Sequence, residues 1–553
     1  MRAYIYLIGI GILTALLIFA CTTQKTYSSK ITQEDIKNFN ASNYAELAED
    51  QTVNVNIGVG MKEIDPQKSQ TTGMKAIIQN LFEGLVREVN GELQPGIALK
   101  WNVSSDGKKY TFYLRKSKWS DGSVLTAYDF EYSWKRAISL QGDNEYIFKQ
   151  LHIKNSDKII RKEIPADELG VKAVDAYTFE VELDSPCDYF LRTIGASCFL
   201  PVKQDVVENC NDKNTVALVS NGPFKLKSYT NTAAECEKNE NYRDASNVSI
   251  TNINFLGRDE KKVRDYFYDS YVNDEIDVQL IITHELYEYG LENDEVYTRD
   301  ILEEMFYEYN VTQEPLNDPR VRKALSIVLD REYIVNKIPC ANKVIAYGYM
   351  PDAAMISEST IFNDLVGRYN IKPNGNVKEA KELLKEAGYE DISNFPELQF
   401  NIWDDPGIIN ITESVTKCLE NKLGIKTKTN ILPWSEYLST TFEKGYEGIA
   451  AVQWTADYED PQAMLELFET GNSINAGGYS NPEYDAQIDI IKNKIGTARR
   501  DALIKANNIL MEDYPIIPIS YSNSSFTIKN RIIDWSYTSD YKVWFGHSKV
   551  VKE

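Results

Sequence analysis

Three histidines, His152, His284 and His547, are spread through 553 residues, too far apart in sequence to make a local metal motif. The chain contains no H-E-x-x-H, no C-x-x-C, no G-x-x-x-x-G-K-[ST] and no G-x-S-x-G. Zinc hydrolysis, thiol exchange, P-loop phosphate binding and a serine nucleophile elbow therefore lack a basis in the sequence. Carboxylates and tyrosines are abundant instead, with 82 Asp and Glu and 35 Tyr. Two carboxylates about 5 to 10 Å apart can hydrolyse a glycoside, and that is the enzyme reading left open; the joint absence of other catalytic motifs favours a binding protein. One acidic group sits among aromatics: Asp457, Glu459 and Asp460 with Trp454 and Tyr458. A carboxylate in such a place suits an ammonium ligand, because an enclosed cation needs a partner and a charged acceptor is the stronger one. The same run also fits a solvated acidic loop.

The formal charge is -22, and no Lys/Arg block follows the first residues. A phosphate-backbone partner needs a basic footprint, so nucleic acid is excluded as a partner. A cationic or zwitterionic small ligand fits this balance better.

After Arg2, residues 3–20 are charge-free and largely apolar, ending at Cys21. The run approaches the length that crosses a hydrocarbon layer of about 30 Å, yet its place at the start, ahead of a polar stretch, reads as an export signal. Leu17-Ile18-Phe19-Ala20-Cys21 resembles a bacterial lipoprotein processing site, at which Cys21 becomes the lipidated first residue; a retained single-pass anchor is the other reading. Setting Cys21 aside leaves six of the seven cysteines. An even number outside the cytosol permits disulfides, and Cys187 with Cys198, or Cys210 with Cys236, are near enough in sequence to pair. Buried free thiols are the alternative.

The elements that position these residues follow from the hydrophobic pattern. A chain of this length exceeds one hydrophobic core, so two or three lobes are expected. Residues 21–49 read as a polar linker. A strand at 53–59 and a helix at about 74–83 open the body. Tyr110, Phe112 and Leu114, then Phe179, Val181 and Leu183, alternate with polar residues, as in a sheet buried on one face. Between them, Thr126 and Asp129 are spaced as a capping box ahead of Phe130, Trp134, Ala137 and Ile138. Asp318-Pro319 and Asn376 with Glu379 mark further helix starts. Helices are expected at about 412–423, stopped by Gly424, and 498–513, stopped before Pro515, with a strand at 516–521. Helices alternating with strands indicate α/β architecture.

Several stretches resemble the oligopeptide- and dipeptide-binding proteins of ABC importers, family 5 of the bacterial solute-binding proteins. They run in order: Leu81-Phe82-Glu83-Gly84-Leu85 with Gly96; Trp101; Tyr110-Thr111-Phe112-Tyr113-Leu114-Arg115; Lys118-Trp119-Ser120-Asp121-Gly122; Thr126-Ala127-Tyr128-Asp129-Phe130 with Trp134. Gly170-Val171-Lys172-Ala173, Asn221-Gly222-Pro223-Phe224, the run from Asn317 to Leu325, the run from Ala380 to Tyr389, and Trp454-Thr455-Ala456-Asp457-Tyr458-Glu459-Asp460-Pro461 continue the series. The resemblance implies a class II periplasmic-binding-protein fold of the three-domain (cluster C) kind: two lobes joined by a hinge, with an extra inserted domain. Residues 1–20 would be the signal peptide; 50–82, 200–306 and 521–553 lobe I; 83–199 the inserted domain II; 307–520 lobe III.

By the same resemblance Asp457 pairs with the α-ammonium of a bound peptide, Trp454 and Trp434 wall its side-chain pockets, Tyr458 joins the ligand-binding group, and Gln70 and Thr72 belong to a strip that meets the peptide backbone. The family's basic groups for the ligand's carboxyl end match positions near Thr441 or Phe442, Ala451, and Ile409 or Asn410, none of them basic here; Lys444 is the nearest displaced cation. The implied protein is a monomer without cofactor or metal, lipid-anchored on the outer side of the cell membrane. It encloses an oligopeptide and hands it to permease subunits with cytosolic ATPases. The same scaffold carrying a nickel complex, an oligosaccharide or a signalling peptide is the alternative, and nickel loses weight from the scattered histidines.

Overall fold

The computed structural model describes residues 46–552 except 62, 69–70, 141, 210–218, 259–262, 337–342, 358–359, 444 and 539–542. The apolar leader, Cys21, Gln70 and Lys444 lie outside the described residues. One sheet runs through the molecule. Its strands are β1 (Thr52–Val59), β2 (Phe224–Tyr229), β3 (Ala233–Lys238), β4 (Asn252–Arg258), β5 (Val278–Gln279), β6 (Val296–Tyr309), β7 (Lys343–Ile345), β8 (Leu398–Trp403), β9 (Thr427–Leu432), β10 (Ile449–Thr455) and β11 (Ile516–Ile528). They lie in the order β2-β3-β4-β1-β5-β11-β6-β10-β8-β9, with β7 added on β11. β1 is parallel to β4 and β5, and β8 is parallel to β9 and β10.

β6 and β11 are the long strands, with 14 and 13 residues. They pair in two antiparallel blocks, 296–300 with 527–523 and 304–308 with 521–516, separated by a register shift. Extra residues on one strand bend it and increase its twist, so the sheet turns where it passes from the β1 side to the β10 side. The lobe limits expected at 306/307 and 520/521 fall within these two strands. One core packs around β1, β4 and the inserted segment. Two more cover the faces of the second half, one around Tyr307, Phe400 and Leu419, the other around Phe306, Phe468 and Leu503. The first half is closed by the last residues of the chain: Leu47 bridges Val551, Gln51 Nε2 donates to Val550 O at 2.8 Å, and Arg531 pairs with Asp277 at 2.7 Å.

The inserted segment forms its own four-stranded sheet, in the order 98–103, 109–114, 178–182, 171–175. Tyr110, Phe112, Leu114, Phe179 and Val181 are buried while their neighbours face outward, as the alternation requires. Helix α1 is Thr72–Leu81, and α2, Ala127–Ser139, packs on this sheet through Phe130, Trp134, Ala137 and Ile138. Its capping box is formed, with the Thr126 N–H donating to Asp129 Oδ2 at 2.7 Å. Two motifs separated in sequence meet here: Asn221 brackets the Glu83 backbone, accepting from its N–H at 3.0 Å and donating to its carbonyl at 2.8 Å. Gly222 lies against this contact, and a Cβ there would sit 2.7 Å from the Leu81 backbone.

In the second half, α3 (Pro319–Ile327) starts on the Asp318 cap and α4 (Val377–Glu386) on the Asn376 cap. Helix α5 is Pro406–Leu423, six residues longer at its start than the sequence suggests. Asp405 is the reason: its Oδ1 accepts from Gly407 N at 2.8 Å and Ile408 N at 3.1 Å, ahead of a proline at the first helical position. Asp405→Ala is expected to cost about 1 kcal/mol of stability, read as a lower urea midpoint. Cys187 and Cys236 are free thiols among the described residues, so the Cys187–Cys198 bridge is not formed, while Cys210, and with it the Cys210–Cys236 pairing, lies outside the described residues; burial pushes the Cys187 and Cys236 thiols up, away from thiolate chemistry.

Candidate ligand site

β10 ends at Thr455, and the chain turns at once through Asp457 to Pro461. The turn leaves the strand tied down: Ala456 N donates to Leu302 O on β6 at 2.7 Å. Its three carboxylates then meet three different surroundings. Asp457 is exposed. Glu459 is half-buried, with Arg299 Nη2 at 3.3 Å and Arg192 Nη1 at 3.9 Å. Asp460, 6% exposed, takes two contacts from Arg499, at 2.6 and 3.1 Å. Asp460 is therefore structural, and Asp457 is the exposed member of the three.

Trp454 is part-buried on β10, directly opposite Glu304 of β6, and its indole Nε1 makes no hydrogen bond among the described residues. Glu304 is buried, neither of its carboxyl oxygens makes a hydrogen bond among the described residues, and burial drives its pKa well above the usual carboxylate range. On the other side of the same strands, Glu303 accepts from Gln453 Nε2 at 2.7 Å and from the Thr455 hydroxyl. Lys343 of β7 stands 3.8 Å from Glu303.

Trp434 opens α6 (Trp434–Leu438) and is 55% exposed. It packs edge to face on Trp403 at 5.4 Å and lies nearly parallel to Tyr437 at 6.1 Å, leaving much of its indole open to solvent. Trp403, at the end of β8, is the residue the sequence reading passed over. Its signal was a tryptophan closing a strand just before an Asp-Pro helix start, since strand ends in open α/β sheets line clefts.

Tyr458, the residue after Asp457 in the turn, is buried. It is 5% exposed, stacked on Tyr189 of the inserted segment at 4.7 Å, with its hydroxyl donating to Glu466 at 3.3 Å. The ring joins the Asp457 turn to the inserted segment. Thr72 begins α1, capped by Thr71. Of the positions matched to the family's carboxylate-binding cations, Thr441 and Ala451 are buried, Phe442 and Ile409 half-buried and Asn410 exposed.

Residues 92–476 match the family model described as bacterial extracellular solute-binding proteins, family 5, middle. The periplasmic oligopeptide-binding protein OppA of Salmonella typhimurium is 32% identical over 541 residues, covering 95% of this chain and 94% of that protein. Among solved structures, the unliganded open form of the periplasmic murein tripeptide-binding protein MppA superposes with a TM-score of 0.79 at 27% identity, covering 92% of this chain and 99% of that one. Haemophilus influenzae OppA in complex with RPPGFSPFR gives 0.66 at 26% identity, covering 92% and 100%.

Proposed function

From the premise that this chain belongs to the family 5 bacterial extracellular solute-binding proteins, we propose that it captures extended oligopeptides by their free amino end at Asp457 and delivers them to an ABC permease. Its fold is that of the class II periplasmic binding proteins, in several lobes, and the family consists of extracytoplasmic transport-binding proteins, not catalysts. The finer assignments are part of the proposal: lobe I from 50–82, 200–306 and 521–553, domain II from 83–199, lobe III from 307–520, and a lipid on Cys21 holding the protein to the membrane.

The observation that carries the reading is the position of Asp457, exposed at the end of the strand that carries Trp454. Greater likeness to an unliganded open form than to a peptide complex (TM-scores 0.79 and 0.66) supports a molecule awaiting closure about β6 and β11. Trp434 and Trp454 offer flat, non-directional contact for varied side chains. Thr441, Phe442, Ala451, Ile409 and Asn410 hold no cation for a nearby carboxylate, which supports peptides whose carboxyl end runs past these positions.

Calorimetric titration with peptide pools of two to ten residues, free-amine and N-acetylated, tests this. Free-amine pools are expected to bind, with affinity that does not fall as length increases, and acetylation to remove most of it. Equal affinity for both sets overturns the assignment of Asp457.

A further inference from the structure

Four charged side chains from four separate stretches meet beside the Asp457 turn. Glu88, on the strand Val86–Val89, is 1% exposed. Arg192 lies in the helical turn Phe190–Thr193, Arg299 on β6 ahead of the register shift, and Glu459 two residues beyond Asp457. Arg299 Nη2 is 3.3 Å from Glu88 Oε1 and 3.3 Å from Glu459 Oε1. Arg192 Nη1 is 3.9 Å from Oε2 of each. Two guanidiniums thus bracket two facing carboxyl groups. The Tyr537 ring lies 4.5 Å from the Arg299 guanidinium, and Arg87, next to Glu88, is 3.4 Å from Glu83 and 4.1 Å from the Trp544 ring. The titratable and charged groups around Glu88 are therefore Arg87, Arg192, Arg299, Glu459 and Tyr537.

We infer that Arg299, seconded by Arg192, is a positioning residue for the ligand anchor: it clamps Glu459 against Glu88, fixing the turn that carries Asp457 to the hinge strand and the inserted segment. The inference rests on the reading of Asp457 as the ammonium partner. An anchor carboxylate is effective only if its supporting shell holds it in place. Asp457 itself is exposed, and its turn is held before it by the Ala456–Leu302 hydrogen bond and after it by this cluster and the Tyr458–Tyr189 stack.

The clamp carries a proton. Burial, with the facing Glu459 carboxylate, pushes Glu88 up to about 7 against the pull of Arg299 and Arg192. Below that pH Glu88 is neutral and the four groups sum to one positive charge; above it they sum to zero. An arriving ammonium favours the less positive form, so binding releases a proton, and affinity rises as pH rises through 7.

Glu88→Gln keeps the shape of the side chain and fixes the neutral form that the group holds below about pH 7, so the variant is expected to keep the fold. The full chain and this variant are titrated with a free-amine peptide pool at pH 6.5 in two buffers of different ionisation heat. The wild type is expected to release a fraction of a proton that the variant does not. Between pH 5.5 and 7.5, wild-type affinity is expected to gain about threefold to tenfold relative to the variant; the peptide's own amine titrates equally in both and cancels. Arg299→Gln is expected to weaken binding about tenfold, with Arg299→Lys recovering part of the loss. Equal proton counts with parallel pH profiles, or full affinity in Arg299→Gln, overturn the inference. If no peptide binds either protein at any pH, the anchor reading fails, and the cluster is read from melting curves instead. Glu88 is raised above the ordinary 4.5 in the native state, so its contribution to stability is full below that value and is lost as pH rises through about 7. The wild-type melting temperature should then fall relative to Glu88→Gln across that window, and parallel curves overturn the cluster as well.

Discussion

Asp457→Asn is expected to weaken binding of a free-amine peptide by about a hundredfold or more while leaving the melting temperature unchanged. The substitution keeps the shape and removes the charge. An ammonium enclosed without its counter-ion loses about 2 to 5 kcal/mol of binding energy, much of it the penalty of a buried unpaired charge. Stability is spared because Asp457 is exposed, and surface changes of this kind stay within about 0.5 kcal/mol. Acetylating the peptide removes the other partner of the same pair. In the wild type acetylation and substitution should cost similar amounts, and together they should cost little more than either, since both delete one interaction. Calorimetry on the four combinations checks this, and additive losses would place the ammonium elsewhere.

Arg499→Met should do the opposite, lowering stability by about 3 to 5 kcal/mol, because it strands a buried carboxylate. Arg499 is 5% and Asp460 6% exposed, and the guanidinium contacts both Asp460 oxygens and also lies 5.3 Å from the Tyr189 ring. Burial opposes the charge on Arg499 and Asp460 restores it, leaving its pKa raised. The double change Arg499→Met with Asp460→Leu should be less harmful than Arg499→Met alone, since no charge is then left unpaired. Thermal and urea unfolding read the effect. Two carboxylates three residues apart thus respond to substitution in opposite ways, one through ligand and one through fold.

That division is invisible in the sequence. Glu459 meets Arg299 across 160 positions and Asp460 meets Arg499 across 39, and no local rule joins residues so far apart. The capped helices were legible because a cap is made within a few residues of the helix it starts: Thr126 with Asp129, Asp318 with Pro319, Asn376 with Glu379. The alternation of Tyr110, Phe112 and Leu114 was equally local. Asp405-Pro406 is the same kind of signal, an N-cap ahead of a proline at the first helical position. Tyr458 shows the limit from another side, since nothing near it in the sequence announces its stacking partner, Tyr189 of the inserted segment. The continuous passage of β6 and β11 from one half to the other could not be read from patterning, because beyond the register shift both strands turn polar, with Thr298-Arg299-Asp300 on β6 and Asn523-Ser524-Ser525 on β11.

The closing of the first half by the final residues also sets an order in time. β1 precedes the other strands of its sheet in the chain, but that sheet reaches completion only when β11 and the segment that pairs Arg531 with Asp277 and Val551 with Leu47 have been made. The stretch carrying α3 to α5 and β8 to β10 is contiguous and needs only the start of β11 to complete its pairing. The half that begins the chain is therefore the last to finish, and its apolar strands stay uncovered longest, which makes that interval the period of greatest exposure to proteolysis and aggregation.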